Sequence, residues 1–218
     1  MGYLPTHRVG IKGGPMGSKP IGLLLILGPI ISLLGWMFVH PGSGGSDSTA
    51  ATRASEMMAD PALARAGILM GFGGMWVIFL GVMTIARGMA TAGGPGSSYA
   101  NVSAILGIIL LTLGAMAIGT QLAVVNASSA ELGARFMEFD ESGQEAFALT
   151  CGLLLIFLGI GIALAKNFHV IVAGLATIAG VLFTISPFID ADITGFIGWI
   201  AFLITSLALG GLTLKSKS

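Results

Sequence analysis

Long apolar runs separated by short polar segments dominate this chain. Each run is about 20 residues long, the length that an α-helix needs to cross the hydrocarbon core of a bilayer. The pattern is clearest from Glu145 to Leu214, which is interrupted only at Lys166-Asn167 and at residues 190–192. Because these interruptions leave room only for tight turns, the pattern predicts three consecutive spans that cross a membrane in alternate directions.

Extended to the whole sequence, the pattern predicts an all-α, polytopic integral membrane protein with six transmembrane helices arranged as three hairpins. The predicted spans cover about residues 21–39, 66–86, 102–125, 146–165, 168–189 and 193–214. They form a single six-helix transmembrane domain at 21–214, between tails at 1–20 and 215–218. A cleaved signal peptide is the alternative for the first run. That run is longer than a signal h-region and lacks a small-residue cleavage motif, so we expect a retained helix.

Composition supports the membrane assignment. Hydrophobic residues make up 55% of the chain and charged residues only 9%, whereas a soluble domain has about 25% charged residues. Mean hydropathy is +0.94. The single cysteine, Cys151, excludes an intrachain disulfide.

The charges are distributed unequally between the two sides of the predicted topology. One side holds basic residues and no acid: Arg8, Lys12, Lys19, Arg87, Lys166, Lys215 and Lys217. The other side holds all ten acids together with Arg53, Arg65 and Arg135. By the positive-inside rule, this asymmetry predicts that both termini lie in the cytoplasm and that the protein is a multi-pass protein of the cytoplasmic (plasma) membrane.

The two longer segments on the acidic side show short helical patterns. In the first, apolar residues follow helical spacing at Ala50, Ala54, Met57 and Met58. In the second, they do so at Leu132, Phe136 and Phe139. We expect both segments to form short interfacial helices. Asp60-Pro61 is typical of a helix start. The sequence from Ser142 to Glu145 matches a capping box, which places the start of the fourth span at Ser142.

Polar side chains within the predicted spans are few. The spans lack a charged residue away from their ends, which argues against a proton-coupled pump or a voltage sensor. Gln121 is the only amide well inside a span, and Thr120 precedes it. One hypothesis is a polar cavity lined by Thr120 and Gln121. The alternative is an ordinary interhelical hydrogen bond.

The remaining candidate residues do not predict a catalytic or metal site. The acids of the second loop and Asp190 and Asp192 could offer oxygen ligands to a cation such as Ca²⁺, but their spacing matches no known loop. We expect a solvated acidic rim. The three histidines, including His40, are not at ligand spacing, so we expect ordinary interfacial positions. In the absence of a catalytic motif, we expect no enzyme activity, catalytic residue, cofactor or metal.

Small residues four positions apart indicate faces for close helix packing. The pairs are Gly28 and Ser32, Gly67 and Gly71, Ala115 and Gly119, and Ala176 and Gly180. We single out Gly67 and Gly71 as a candidate helix-packing face.

These features predict a small, non-catalytic membrane protein, an accessory subunit or scaffold of a membrane complex. The alternative is a facilitator or channel for a small neutral or lipophilic solute, and a membrane enzyme ranks third. The expected partners are the lipid bilayer and either other membrane subunits or further copies of the chain, with no nucleic acid. A large polar cavity reaching mid-membrane past Gln121 would favour the facilitator, whereas tight packing with an exposed glycine-rich stripe would favour the subunit.

Overall fold

The computed structural model describes residues 19–41, 48–189 and 191–215, without the side chains of residues 191 and 192. All regular structure in these ranges is helical. The helices are α1 (Lys19–Leu34), extended by a π-helical turn (Gly35–Val39), α2 (Ala50–Ala59), α3 (Pro61–Ala92), α4 (Ser97–Val125), α5 (Ala130–Ala165), α6 (Val170–Ile185), extended by a 3₁₀ turn (Ser186–Phe188), and α7 (Ala191–Lys215). Most of the two predicted tails and Asp190 lie outside the described residues, as does the side chain of Asp192.

Six helices of the described chain are long and apolar enough to cross a membrane. They are α1 with its π turn, α3, α4, α5, α6 with its 3₁₀ turn, and α7. The prediction of an all-α chain with six apolar helices is therefore confirmed. We name the two ends of this bundle by what they contain. The basic end contains the turns at residues 93–96 and 166–169, and the capped end is the one that α2 covers.

The six long helices form a closed ring. Each packs against the next long helix in the chain, and α7 returns to pack against α1. Phenylalanine side chains from four helices meet inside this ring. The rings of Phe79 and Phe202 stack with centroids 5.4 Å apart, Phe147 lies 5.6 Å from Phe79, and Phe183 lies 6.3 Å from Phe202. This aromatic cluster joins α3, α5, α6 and α7 in the interior.

A second, smaller core lies at the capped end, where α2 packs against the first half of α5. Its buried residues are Ala54, Met57, Ala64, Ile68, Val124, Val125 and Met137. At about 1.5 Å per residue, the 36 residues of α5 span about 54 Å, well beyond the thickness of a hydrocarbon core. The helix is therefore longer than a span requires, and its first half packs against α2.

Two expectations about the second acidic segment are wrong. The helix does not start at Ser142, because α5 runs through this position from a cap at Ser129, whose hydroxyl accepts a hydrogen bond from Leu132 N. The packed face is also different from the predicted one. Phe139 is 58% exposed, while Met137 and Asp140 are buried. The apolar periodicity misplaced this face because a glycine and an aspartate form part of it.

The helix start predicted at Asp60-Pro61 is confirmed. The Asp60 carboxylate accepts a hydrogen bond from Leu63 N, and Pro61 occupies the first turn of α3. At the basic end, Gly96 adopts a φ of 87° and lies so close to the Gly161 carbonyl that a side chain would collide with it. This turn therefore requires glycine for both its conformation and its packing.

Candidate functional site

A chain of hydrogen-bonded side chains crosses the capped end and joins three helical elements. His40 Nε2 and Gln121 Oε1 are 3.0 Å apart, and Gln121 Nε2 donates to Asp140 Oδ2 at 2.8 Å. The Thr120 hydroxyl donates to the other oxygen, Asp140 Oδ1, at 2.6 Å. Because an amide oxygen can only accept, His40 must carry a proton on Nε2. The network therefore runs in one direction, from the imidazole through the amide to the carboxylate.

The three central side chains of this network are buried. His40 is 5% exposed, Gln121 4% and Asp140 6%. His40 follows the last residue of the first span, and burial lowers its pKa below the ordinary value of 6.5. The hydrogen bond to Gln121 and the Asp140 carboxylate oppose this shift but are weaker than the effect of burial. His40 is therefore a neutral hydrogen-bond donor at pH 7.

This network corrects two expectations from the sequence. Asp140 does not belong to a solvated acidic rim, because it is buried and accepts hydrogen bonds from Thr120 and Gln121. His40 is not an ordinary interfacial residue either, because its ring lies inside the protein and bonds to α4. Gln121 makes interhelical hydrogen bonds to His40 and Asp140, as the alternative to the cavity hypothesis expected.

The π-helical turn at the end of α1 places His40 in the network. Its wider hydrogen bond runs from His40 N to Gly35 O at 2.8 Å, and such turns often occur at functional sites. The same turn directs the indole of Trp36 against the His40 ring, with centroids 4.7 Å apart. Phe72 of α3 also contacts Trp36 edge to face, with ring centroids 4.9 Å apart.

The predicted packing residues Gly67 and Gly71 face this turn. A Cβ atom on Gly67 would lie 2.5 Å from His40 Cα, and one on Gly71 would lie 2.8 Å from Trp36 Cε2. Ser32 adds a hydrogen bond by donating to Gly71 O at 2.9 Å. In this structure, the two glycines let the backbone and side chains of the site approach α3.

The other small-residue pairs differ in their surroundings. Gly28 packs against α3, and a Cβ on Gly180 would lie 2.6 Å from the Gly152 carbonyl of α5. By contrast, Ala115 is exposed and a Cβ on Gly119 would meet no atom within 4 Å. The Ala115 and Gly119 pair therefore does not pack against another described helix of this chain.

A cleft of about 960 Å³ opens beside the network. All six ring helices with their terminal turns contribute to it, and α2 contributes Arg53. Its aromatic and aliphatic lining consists of Trp36, Phe72, Met75, Leu113, Met116, Ala117, Phe139, Phe147, Ala148, Phe183, Pro187, Phe196 and Trp199. Its polar lining includes Arg53, Thr120, Asp140, Glu141, Ser142, Gln144, Glu145 and Ser186.

The cleft has a polar rim and an aromatic interior. At the rim, the guanidinium of Arg53 donates to the Glu141 carboxylate, and both side chains are partly exposed. In the interior, Phe147 and Phe183 line the cleft and pack against Phe79 and Phe202. Phe79 and Phe202 are buried and do not line the cleft, so the aromatic cluster continues from the cleft wall into the packed interior of the ring.

Of the two residues of the predicted polar cavity, Thr120 lines the cleft and Gln121 lies behind the cleft wall. Sequence patterns missed Asp140, His40 and Trp36. The one available signal was the spacing of Gly133, Met137 and Asp140, which places all three on the face of α5 that the structure buries.

The described residues contain no group of three or more His, Cys, Asp or Glu side chains placed to hold a metal ion. The residues that line the cleft offer hydrogen bonding and charge at the rim and apolar contact in the interior. Comparison of the chain with family models, curated proteins and solved structures finds no match.

Proposed function

We propose that this membrane protein binds a small lipophilic or amphiphilic solute in the cleft at the capped end. The observation that supports this proposal is the cleft itself. Its volume of about 960 Å³ suits a small molecule, and every ring helix or its terminal turn contributes to its lining. Clefts of several hundred Å³ with apolar walls and a few polar groups are typical of small-molecule sites. A solute would place its apolar part against Phe183 and Trp199 and its polar group near Asp140.

This proposal develops the facilitator alternative rather than the accessory-subunit hypothesis. An exposed glycine-rich stripe would have supported a subunit, but Gly67 and Gly71 lie against α1 and its π turn. A cavity near Gln121 supports a solute-binding protein.

We further propose that the protein is a multi-pass protein of the cytoplasmic membrane with the basic end inside. The described basic end carries Lys19, Arg87, Lys166 and Lys215 and no acid, which the positive-inside rule favours. The cleft would then face the outside. No catalytic step is part of this proposal.

Photoaffinity labelling tests the proposed binding. A long-chain alcohol carrying a diazirine would be photolysed with the protein in lipid nanodiscs, and labelled peptides would be mapped. We expect saturable labelling near Phe183 and Trp199 that excess unlabelled alcohol removes. Labelling only at lipid-facing residues such as Leu69 and Ile178, without saturation, would refute the proposal.

A further inference from the structure

We propose that the cleft selects amphiphiles with a cationic head group and that the Asp140 carboxylate is the counter-ion of that head. This inference rests on the proposed function, because it concerns the chemistry of the solute that the cleft binds. It adds the sign of the charge and the residue that recognises it.

Asp140 is a buried carboxylate without a cationic partner in the described structure. It is 6% exposed and lines the cleft. No lysine or arginine nitrogen of the described residues lies within 4.0 Å of its oxygens, since the ion pairs found there are Arg53 with Glu141 and Arg135 with Glu131. A buried charge is costly unless a counter-charge and hydrogen bonds compensate for it.

The hydrogen bonds that Asp140 accepts come from neutral groups. Thr120 binds one carboxylate oxygen and Gln121 the other, so each oxygen retains a lone pair for a further donor. His40 lies at the other end of the hydrogen-bonded network. Because burial lowers its pKa, its imidazole is uncharged at neutral pH and does not provide a counter-charge for Asp140. None of the described side chains therefore provides a counter-charge to Asp140, and a cationic ligand in the cleft would provide one.

The rest of the cleft lining agrees with a cationic head. Arg53 is the cation that lines the cleft, and its guanidinium is already bound to Glu141. Glu145 also lines the cleft and adds a second carboxylate without a basic partner among the described ion pairs. An anionic head would meet these two carboxylates, so the charge distribution disfavours it.

The aromatic lining suits such a head as well. Trp36 and Phe139 lie on elements that also carry the polar network, and both line the cleft. Indole and phenyl faces attract ammonium groups, and aromatic rings beside a carboxylate are a common way to bind quaternary ammonium ligands. The expected ligand is thus an alkyl ammonium or a similar lipophilic cation.

Three probes with the same brominated decyl chain test this inference: a trimethylammonium, an alcohol and a carboxylate. Bromine quenches tryptophan fluorescence on contact, and two of the three tryptophans, Trp36 and Trp199, line the cleft. The third, Trp76, does not line it and would be replaced in a Trp76→Phe background. Saturable quenching in nanodiscs then gives the affinity of each probe for the cleft.

We expect the ammonium probe to bind at least about tenfold more tightly than the alcohol, and the carboxylate to bind most weakly. Asp140→Asn should reduce the ratio of ammonium to alcohol affinity to about twofold or less, and Asp140→Glu should keep most of it. If Asp140→Asn does not fold, the ratio of ammonium to alcohol affinity in the parent still tests the cationic selectivity. Glu145→Gln alters an exposed side chain, and if Asp140 is the counter-ion this variant should keep most of the parent ratio.

The outcomes separate the two proposals. Saturable quenching that is equal for the three probes, or strongest for the carboxylate, would overturn the cationic selectivity while leaving solute binding intact. An ammonium preference that Asp140→Asn leaves unchanged would overturn the role of Asp140. Absence of saturable quenching by any probe would overturn the proposed function itself.

Discussion

His40 Nε2 and Gln121 Oε1 lie 3.0 Å apart, although 81 positions separate the two residues in the sequence. This contact ties the end of α1 to α4, and the amide of Gln121 extends it to Asp140 on α5. The cleft lies beside this connection, so the stability of the capped end and the shape of the cleft depend on the same side chains. The predictions below follow from that arrangement.

Loss of the Asp140 side chain should destabilise the protein. Asp140→Ala leaves the buried amide of Gln121 without one of its acceptors, and we expect a loss of about 1–3 kcal/mol in the free energy of unfolding. Glu141→Ala is the matched control from the adjacent position. Its side chain is partly exposed, so we expect a loss below about 1 kcal/mol. Thermal unfolding in a mild detergent would compare them, and equal melting temperatures for both variants would contradict the structural role of Asp140.

Acidification should destabilise the protein through His40. Burial lowers the pKa of folded His40 below its ordinary 6.5, so the unfolded state takes up a proton first as the pH falls. Stability contributed by neutral His40 is therefore complete above about pH 7.5 and decreases as the pH falls through 6.5 towards the lower folded pKa.

The measurement is the melting temperature between about pH 7.5 and pH 5.5. We expect a decrease in the parent protein and a smaller decrease in His40→Gln. The matched control is His169→Gln at the basic end, which removes a histidine outside the network. A slope that is unchanged in His40→Gln would show that His40 does not contribute to it.

Close packing between α3 and the π turn should make Gly67 intolerant of any side chain. A methyl group there would lie 2.5 Å from the His40 Cα, and relief requires movement of the backbone. We expect Gly67→Ala to cost at least about 1 kcal/mol. Gly73→Ala is the control on the same helix, because a Cβ there meets no atom within 4 Å.

A larger contrast should appear between Gly71→Leu and Leu69→Ala. Leucine at position 71 would displace the Trp36 ring, whereas Leu69 is 60% exposed. Both glycine variants should lower the melting temperature, while Gly73→Ala and Leu69→Ala should change it little. Similar melting temperatures for all four variants would mean that α3 does not pack against the π turn in this way.

The orientation in the membrane can be tested with single cysteines in a Cys151→Ala background. Ser128 lies at the capped end and Ala92 at the basic end, and both are exposed. We expect Ser128→Cys to react with a membrane-impermeant thiol reagent in intact cells, and Ala92→Cys to react only after permeabilisation. Labelling of both cysteines in intact cells would contradict the alternating topology, and the reverse pattern would contradict its orientation.

The fold and the site were predictable from the sequence to different degrees. The lengths of the apolar runs predicted the helices, because crossing a bilayer requires a fixed length of apolar helix. Gln121 stood out as the one amide within a span. Asp140 did not, because it occurs among other acids and its burial depends on packing against Thr120 and Gln121 of α4. That long-range packing has no counterpart in the local periodicity.

Local sequence patterns could not predict the cleft either, because its lining comes from seven helices that are distant in sequence. The π turn that places His40 and Trp36 depends on Gly67 and Gly71, which lie on a different helix. The small-residue spacing did indicate these two glycines. It could not indicate which residues would approach them.

The most direct test of the central claim fills the cleft and measures binding. Ala117 lines the cleft and Ala115, two residues earlier on α4, is exposed outside it. In the Trp76→Phe background, saturable quenching of tryptophan by the brominated decyl alcohol would be measured for Ala117→Phe and Ala115→Phe in nanodiscs. Our account predicts that Ala117→Phe weakens binding at least about tenfold and that Ala115→Phe binds like the parent. Equal, saturable binding by both variants would contradict the claim that this cleft holds the solute.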